Sequence, residues 1–159
     1  MQTVLFVCTG NTCRSPMAES IARHLVAANA IEGLDADLFL ASAGVAAMDG
    51  APYTDHALTV LERRSITHEG SSKPLTPEMI RNATHVLGMT DRHVDAARRL
   101  VAGEPDQIAK IQRLDPGRDI DDPFGGSEAV YDAVAEYFLA ALPARLRELL
   151  SLPAYGDPS

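Results

Sequence analysis

The chain has 159 residues, 46% of them hydrophobic, which suits one domain with an ordinary core. Its 22 acidic against 14 basic residues give a net charge of −8 and exclude a surface built to hold nucleic acid or an anionic membrane. No apolar run approaches the ~20 residues that cross a bilayer, and the first residues lack the basic start and apolar stretch of a secretion signal, so a cytoplasmic location is expected.

In chain order, residues 2–8 read as a strand ending on Cys8 after the apolar run Val4-Leu5-Phe6-Val7. Residues 16–28 read as a helix with Met17, Ile21 and Leu25 on one face, Ser15 as its N-cap and Pro16 as its first helical residue. A second strand is expected over 37–43. A helix over 52–64 turns Ala57, Leu58 and Leu61 inward, and a short helix covers 76–82. A third strand follows at 85–89, a helix at 91–102 and a fourth strand at 108–114. Residues 115–127 form a loop rich in Pro, Gly and Asp. Residues 128–150 are a long amphipathic helix kinked or broken near Pro143, and 153–159 are a frayed tail after one domain spanning 1–152.

Strands alternating with helices imply an α/β fold with a parallel sheet covered on both faces, and sites in such sheets form beyond the carboxyl ends of strands. Cys8 and the 115–127 loop both fall at such ends. The paired arginines Arg63-Arg64 and Arg98-Arg99 read as solvated helix faces. Cys8 and Cys13 are the two cysteines, and the five histidines are scattered, so no metal site is expected. Neither the phosphate-loop signature of nucleotide-binding proteins nor a glycine-rich dinucleotide fingerprint is present, and no cofactor is expected.

The densest chemistry lies in residues 8–16, Cys-Thr-Gly-Asn-Thr-Cys-Arg-Ser-Pro. Only a thiolate attacks well, and a helix start together with a nearby cation lowers a thiol's pKa. Arg14 and the helix beginning near Pro16 supply both, and Ser15 can hydrogen-bond the sulfur. Gly10 frees the backbone to curl with its N–H groups inward, and Asn11 tolerates a left-handed conformation and braces the loop. The planar fork of Arg14 matches two oxygens of a phosphate.

This loop resembles the active-site loop of the low-molecular-weight protein tyrosine phosphatases. The resemblance extends through Ser42-Ala43-Gly44, His68 and Asp122-Pro123. It implies a single-domain, Rossmann-like fold with a four-stranded parallel sheet, and a metal-independent phosphatase working through a phosphocysteine. Cys8 then matches the nucleophile and Arg14 the phosphoryl grip. Thr9, Gly10, Asn11, Thr12, Cys13 and Ser15 complete the cradle, and Asn11, Ser15, Ser42 and His68 support the loop. The family's second cysteine, matched by Cys13, can form a reversible disulfide with the nucleophile.

The leaving group needs a proton from another segment. Asp119, Asp121 and Asp122 all qualify by chemistry alone, and the family's Asp-Pro pattern selects Asp122. Thr12 stands where tyrosine-specific members usually carry a bulkier aliphatic residue, and Phe124-Gly125-Gly126 leaves few stacking walls for a phenyl ring. These departures resemble the bacterial protein arginine phosphatase branch. The expected substrate is therefore protein phosphoarginine, with phosphotyrosine as the alternative; an arsenate reductase would need further cysteines after Cys13, and a small-ester phosphatase remains a third reading. Expected partners are phosphorylated proteins, with no nucleic acid or membrane, and nothing demands more than a monomer.

Overall fold

The computed structural model describes residues 1–34 and 37–150. The elements run β1 (Gln2–Cys8), α1 (Arg14–Ala27), β2 (Leu38–Gly44), α2 (Asp55–Arg63), α3 (Pro77–Asn82), β3 (His85–Gly88), α4 (Asp91–Leu100), α5 (Pro105–Ile108), β4 (Ile111–Arg113) and α6 (Glu128–Leu149). All strand pairs are parallel, in the order β2-β1-β3-β4. β1 pairs with β2 from Gln2–Leu38 to Cys8–Gly44, and with β3 from Val4–His85 to Val7–Gly88. No helix among the described residues is long and apolar enough to cross a membrane.

β1 is central because both of its faces are apolar, the signature of a strand covered by helices on each side. Val4 and Phe6 join Leu40 and Leu87 against α1, α2 and α6, where Met17, Ile21, Leu61, Phe138 and Leu142 close the layer. Leu5 and Val7 face the other way with Val86 and Ile111, against Ile80 of α3 and Val94 and Ala97 of α4. Each fully buried large side chain of this kind contributes about 2–3 kcal/mol.

The helix after the cysteine loop starts two residues earlier than the sequence predicts. Its N-cap is Cys13, and Ser15 lies inside the first turn. Ser15 cannot cap because its hydroxyl is already committed to Cys8 and Asn11. The fourth strand shrinks to Ile111–Arg113, and the stretch before it turns into α5, opened by Pro105. Such a short strand leaves carbonyls at its end for another element to satisfy. Arg145 of α6 does so, donating to Leu114 O at 2.7 Å and Arg113 O at 2.9 Å. α6 runs unbroken through Pro143. Arg63 and Arg64 are not merely solvated: Arg63 pairs with Glu128 at 2.6 Å, and Arg64 with Asp132 at 2.8 Å and Glu136 at 2.6 Å, tying α2 to α6. Arg98 likewise donates to Ile111 O at 2.9 Å. The expected tail, 153–159, lies outside the described residues.

Candidate active site

The carboxyl end of β1 delivers Cys8 into a curled loop that ends where α1 begins. The left-handed residue of this loop is Asn11, at φ 53°, rather than Gly10. A Cβ on Gly10 would meet only Thr12 Oγ1, at an ordinary 3.5 Å. The glycine the loop does require is Gly44, at the end of β2. A Cβ there would lie 2.5 Å from Thr9 O and 2.8 Å from Asn11 N, so any side chain would push the loop off the sheet.

Asn11 is fully buried and makes three side-chain bonds. Its Nδ2 donates to Ser15 Oγ at 2.8 Å and Ser42 Oγ at 2.9 Å, and its Oδ1 accepts from Lys73 N at 2.8 Å. Ser15 Oγ, having accepted from Asn11, has its own hydrogen left for the Cys8 sulfur 2.9 Å away. The far side of the loop is fixed by the Thr54 N–H, which donates to Thr12 O at 2.9 Å. Val45 N and Ala46 N, just past β2, donate to Cys8 O and Thr9 O.

Burial is the largest influence on the Cys8 thiol and pushes it up from the ordinary range; the Ser15 hydroxyl, the backbone N–H groups of Ser15 and Asn11, and the Arg14 guanidinium pull it the other way. The lowering expected from the sequence is outweighed by this burial, although the contacts that favour the thiolate are in place. Arg14 itself is 5% exposed, with Nη1 donating to Ile120 O at 2.9 Å and Nη2 3.4 Å from Asp122 Oδ2.

That ion pair brings the 115–127 loop over the cysteine. A cavity of about 380 Å³ is lined by Cys8, Thr9, Thr12, Cys13, Arg14, Asp122 and Phe124, together with Gly10, Ala46, Met48 and Ala51. The three candidate carboxylates separate here. Asp119 caps α4 by accepting from Asp91 N at 2.9 Å and pairs with Arg113 at 3.3 Å. Asp121 is exposed and lines a neighbouring cavity but not this one. Asp122 lines the cavity with Cys8, its Oδ1 accepting from Phe124 N at 3.0 Å, a turn that Pro123 stiffens. The loop's base is anchored by Tyr137, which donates to Asp115 Oδ2 at 2.7 Å.

His68 is not brought to the loop. Its Nε2 lies 3.2 Å from Glu62 Oε1, at the end of α2, and the Asn11 side chain is braced by Ser15, Ser42 and the backbone N–H of Lys73 instead. The residue that sequence reasoning misses is His93. It is 3% exposed, with Nε2 2.8 Å from Thr9 Oγ1 and Nδ1 3.2 Å from Thr90 N. The only sequence signal is a polar residue on the inward face of α4, beside Val94 and Ala97. Both cysteines are free and buried, with Cys13 Sγ 3.8 Å from Tyr131 Oη. Among the described residues no cluster suited to a metal ion occurs.

A thiol in a curled, amide-rich loop at a strand end, with an arginine and a carboxylate above it, defines the cysteine-nucleophile class of phosphate-handling sites on a parallel α/β sheet. The model of the low molecular weight phosphotyrosine protein phosphatase family matches residues 3–151, and the chain belongs to that family. It is 38% identical over 149 residues to a protein-arginine-phosphatase of Geobacillus stearothermophilus, covering 92% of this chain and 95% of that one. It is 30% identical to the low molecular weight protein-tyrosine-phosphatase PtpB of Staphylococcus epidermidis, covering 81% and 86%. Among solved structures, a mutant of the YwlE arginine phosphatase with a phosphorylated active-site serine superposes with a TM-score of 0.80 at 31% identity, covering 94% and 96%.

Proposed function

We propose that this protein is a phosphoprotein phosphatase that hydrolyses phosphoarginine on proteins through a phosphocysteine at Cys8. The observation that carries this reading is the composition of the cavity that holds Cys8, Arg14, Asp122 and Thr12 together. Cys8 sulfur attacks phosphorus while Arg14 and the loop N–H groups of residues 9–15 hold the phosphoryl oxygens. The P–N bond breaks, and the guanidine nitrogen leaves with the proton of Asp122. Water then attacks the phosphocysteine. Asp122 takes the water's proton, the S–P bond breaks, and phosphate departs.

Thr12 supports the guanidinium over the phenol. Its short side chain lines the cavity with a hydroxyl, and Phe124 is the cavity's one aromatic wall and is itself largely exposed. A flat cation gains a hydrogen-bonding partner there, whereas a phenyl ring gains little stacking. The resemblance to protein-arginine-phosphatases points the same way, and the likeness to a tyrosine phosphatase keeps phosphotyrosine as the second reading. Phosphate release from matched phosphoarginine and phosphotyrosine peptides, with Cys8→Ser as blank, tests it. A preference for phosphoarginine is expected, and Thr12→Ile should move the preference toward phosphotyrosine. Equal ratios in wild type and variant would remove Thr12 from the argument.

Cys13 lines the same cavity as Cys8, and both thiols are free. A reversible disulfide between them would spare the nucleophile deeper oxidation. Mild peroxide followed by mass spectrometry should show a Cys8–Cys13 bridge that dithiothreitol reverses; sulfinate on Cys8 without the bridge would refute this role.

A further inference from the structure

His93 meets the phosphate loop through Nε2, and the start of its own helix through Nδ1, which lies 3.2 Å from both Thr90 N and Thr90 Oγ1; these partners together assign its proton. The Thr90 backbone N–H can only donate, and the Thr90 hydroxyl, which accepts from His93 N at 3.4 Å, has its own hydrogen to give, so Nδ1 is the accepting nitrogen. The ring proton then sits on Nε2 and is donated to Thr9 Oγ1 at 2.8 Å. With its oxygen engaged in that way, the Thr9 hydroxyl has its own hydrogen free. Thr9 is exposed and lines both the cavity of Cys8 and the adjoining one of about 660 Å³.

We infer that His93 is a positioning residue: as a neutral ring protonated on Nε2, it holds the Thr9 hydroxyl as a donor toward the phosphoryl oxygens in transfer. Two further observations support the role. Burial and Arg14 hold the ring down at about 4, against the weaker opposite pull of Asp122 and Asp119, with Arg92 again lowering it, so the neutral form persists at working pH. The first turn of α4 is also where the acid loop is fastened, through Asp91 N to Asp119 Oδ1. His93 therefore stands where the phosphate loop and the acid loop meet. It acts through Thr9. The inference rests on Cys8 being a phosphatase nucleophile, and on no choice between phosphoarginine and phosphotyrosine.

Two substitutions separate this role from a structural one. His93→Asn puts an acceptor near the place of Nδ1 and keeps the contact to Thr90, but falls short of Thr9. His93→Gln places an amide donor near the place of Nε2 and reaches Thr9, but gives up the contact to Thr90. Stability should follow Asn and catalysis should follow Gln. Steady-state rates would be measured on a phosphoarginine peptide and on para-nitrophenyl phosphate, beside thermal unfolding. The expected result is a kcat about tenfold lower in His93→Asn with KM unchanged, the value of one oriented hydrogen bond, and a near wild-type kcat in His93→Gln. Thr9→Val should match His93→Asn and add nothing to it. Ring-nitrogen NMR of the unmodified enzyme at pH 7 should report Nε2 protonated.

A wild-type kcat in His93→Asn, an equal loss in both His93 variants, or a proton on Nδ1 would each overturn the inference. A wild-type enzyme inactive on both substrates would overturn the phosphatase reading and this inference with it. An active wild type that ignores His93→Asn overturns this inference alone.

Discussion

The two loops that make the site are opposites in construction. The phosphate loop is buried and internally bonded: Asn11 spends all its side-chain polar atoms on Ser15, Ser42 and Lys73, Gly44 lets the sheet press against it, and Arg14 is 5% exposed. The acid loop is open. The Asp122 side chain is 52% exposed and is held by its own turn to Phe124 and by Arg14. The difference fits what the proposed reaction asks of each part. A dianion is held best by dipoles that need no reorganisation, which calls for burial and a saturated hydrogen-bond network. A carboxylate that gives a proton to a leaving group and takes one from water must stay within reach of both.

If that division holds, damage to each loop should have a different signature. Asp122→Asn should cost the most activity, about 10²–10⁴-fold in kcat, while inorganic phosphate still binds, measured by calorimetry. Loss of phosphate binding together with kcat would mean that Asp122 shapes the cradle as well. Asn11→Ala attacks the other side. It strands Lys73 N–H and two hydroxyls in a buried setting, so unfolding stability should fall by about 3 kcal/mol in urea titration, with phosphate affinity falling in step. Unchanged phosphate affinity would show that the cradle does not need its network.

The smallest effect belongs to the joint between the loops. His93 is held at about 4 in the folded chain against about 6.5 when unfolded. The unfolded state therefore binds the extra proton first, and stability is lost as pH falls from about 6.5 toward 4. The loss attributable to His93 between pH 7 and pH 5 is about 2 kcal/mol. Denaturant titrations at both pH values should show it in the wild type and not in His93→Gln; the same slope in both would place the acid sensitivity elsewhere.

What the sequence reveals and conceals follows from where the signals are local. Residues 8–16 carry their chemistry in one unbroken string, so β1, the thiol, Arg14 and the turn residue Asn11 are legible together. The choice of Asp122 comes from the family's Asp-Pro pattern alone, and Asp119 is set apart from it only in space, by accepting from Asp91 N at the start of α4. Periodicity cannot register α5, which is four residues long, and the strand read over 108–114 is found but shrinks to three residues. Ser15 reads as a cap by type, yet tertiary partners claim its hydroxyl. His93 and Thr9 are 84 residues apart, and nothing in either neighbourhood announces the other. His68 fails for the complementary reason: its position in the chain fits the family, but Glu62, six residues away, holds the ring.

The central place of β1 also sets an order of assembly as the chain leaves the ribosome. The first strand made must wait for His85 and its neighbours before its second edge is paired, and its phosphate loop waits longer, for His93 and then for the segment bearing Ile120 and Asp122. A nascent chain emerges amino end first, so until β3 follows, the strand Gln2–Cys8 keeps one apolar edge unpaired and ends on a free thiol. Chains stalled or cut before β3 would present that edge to any neighbour, and no phosphatase activity should appear until the segment bearing Asp122 is free to fold.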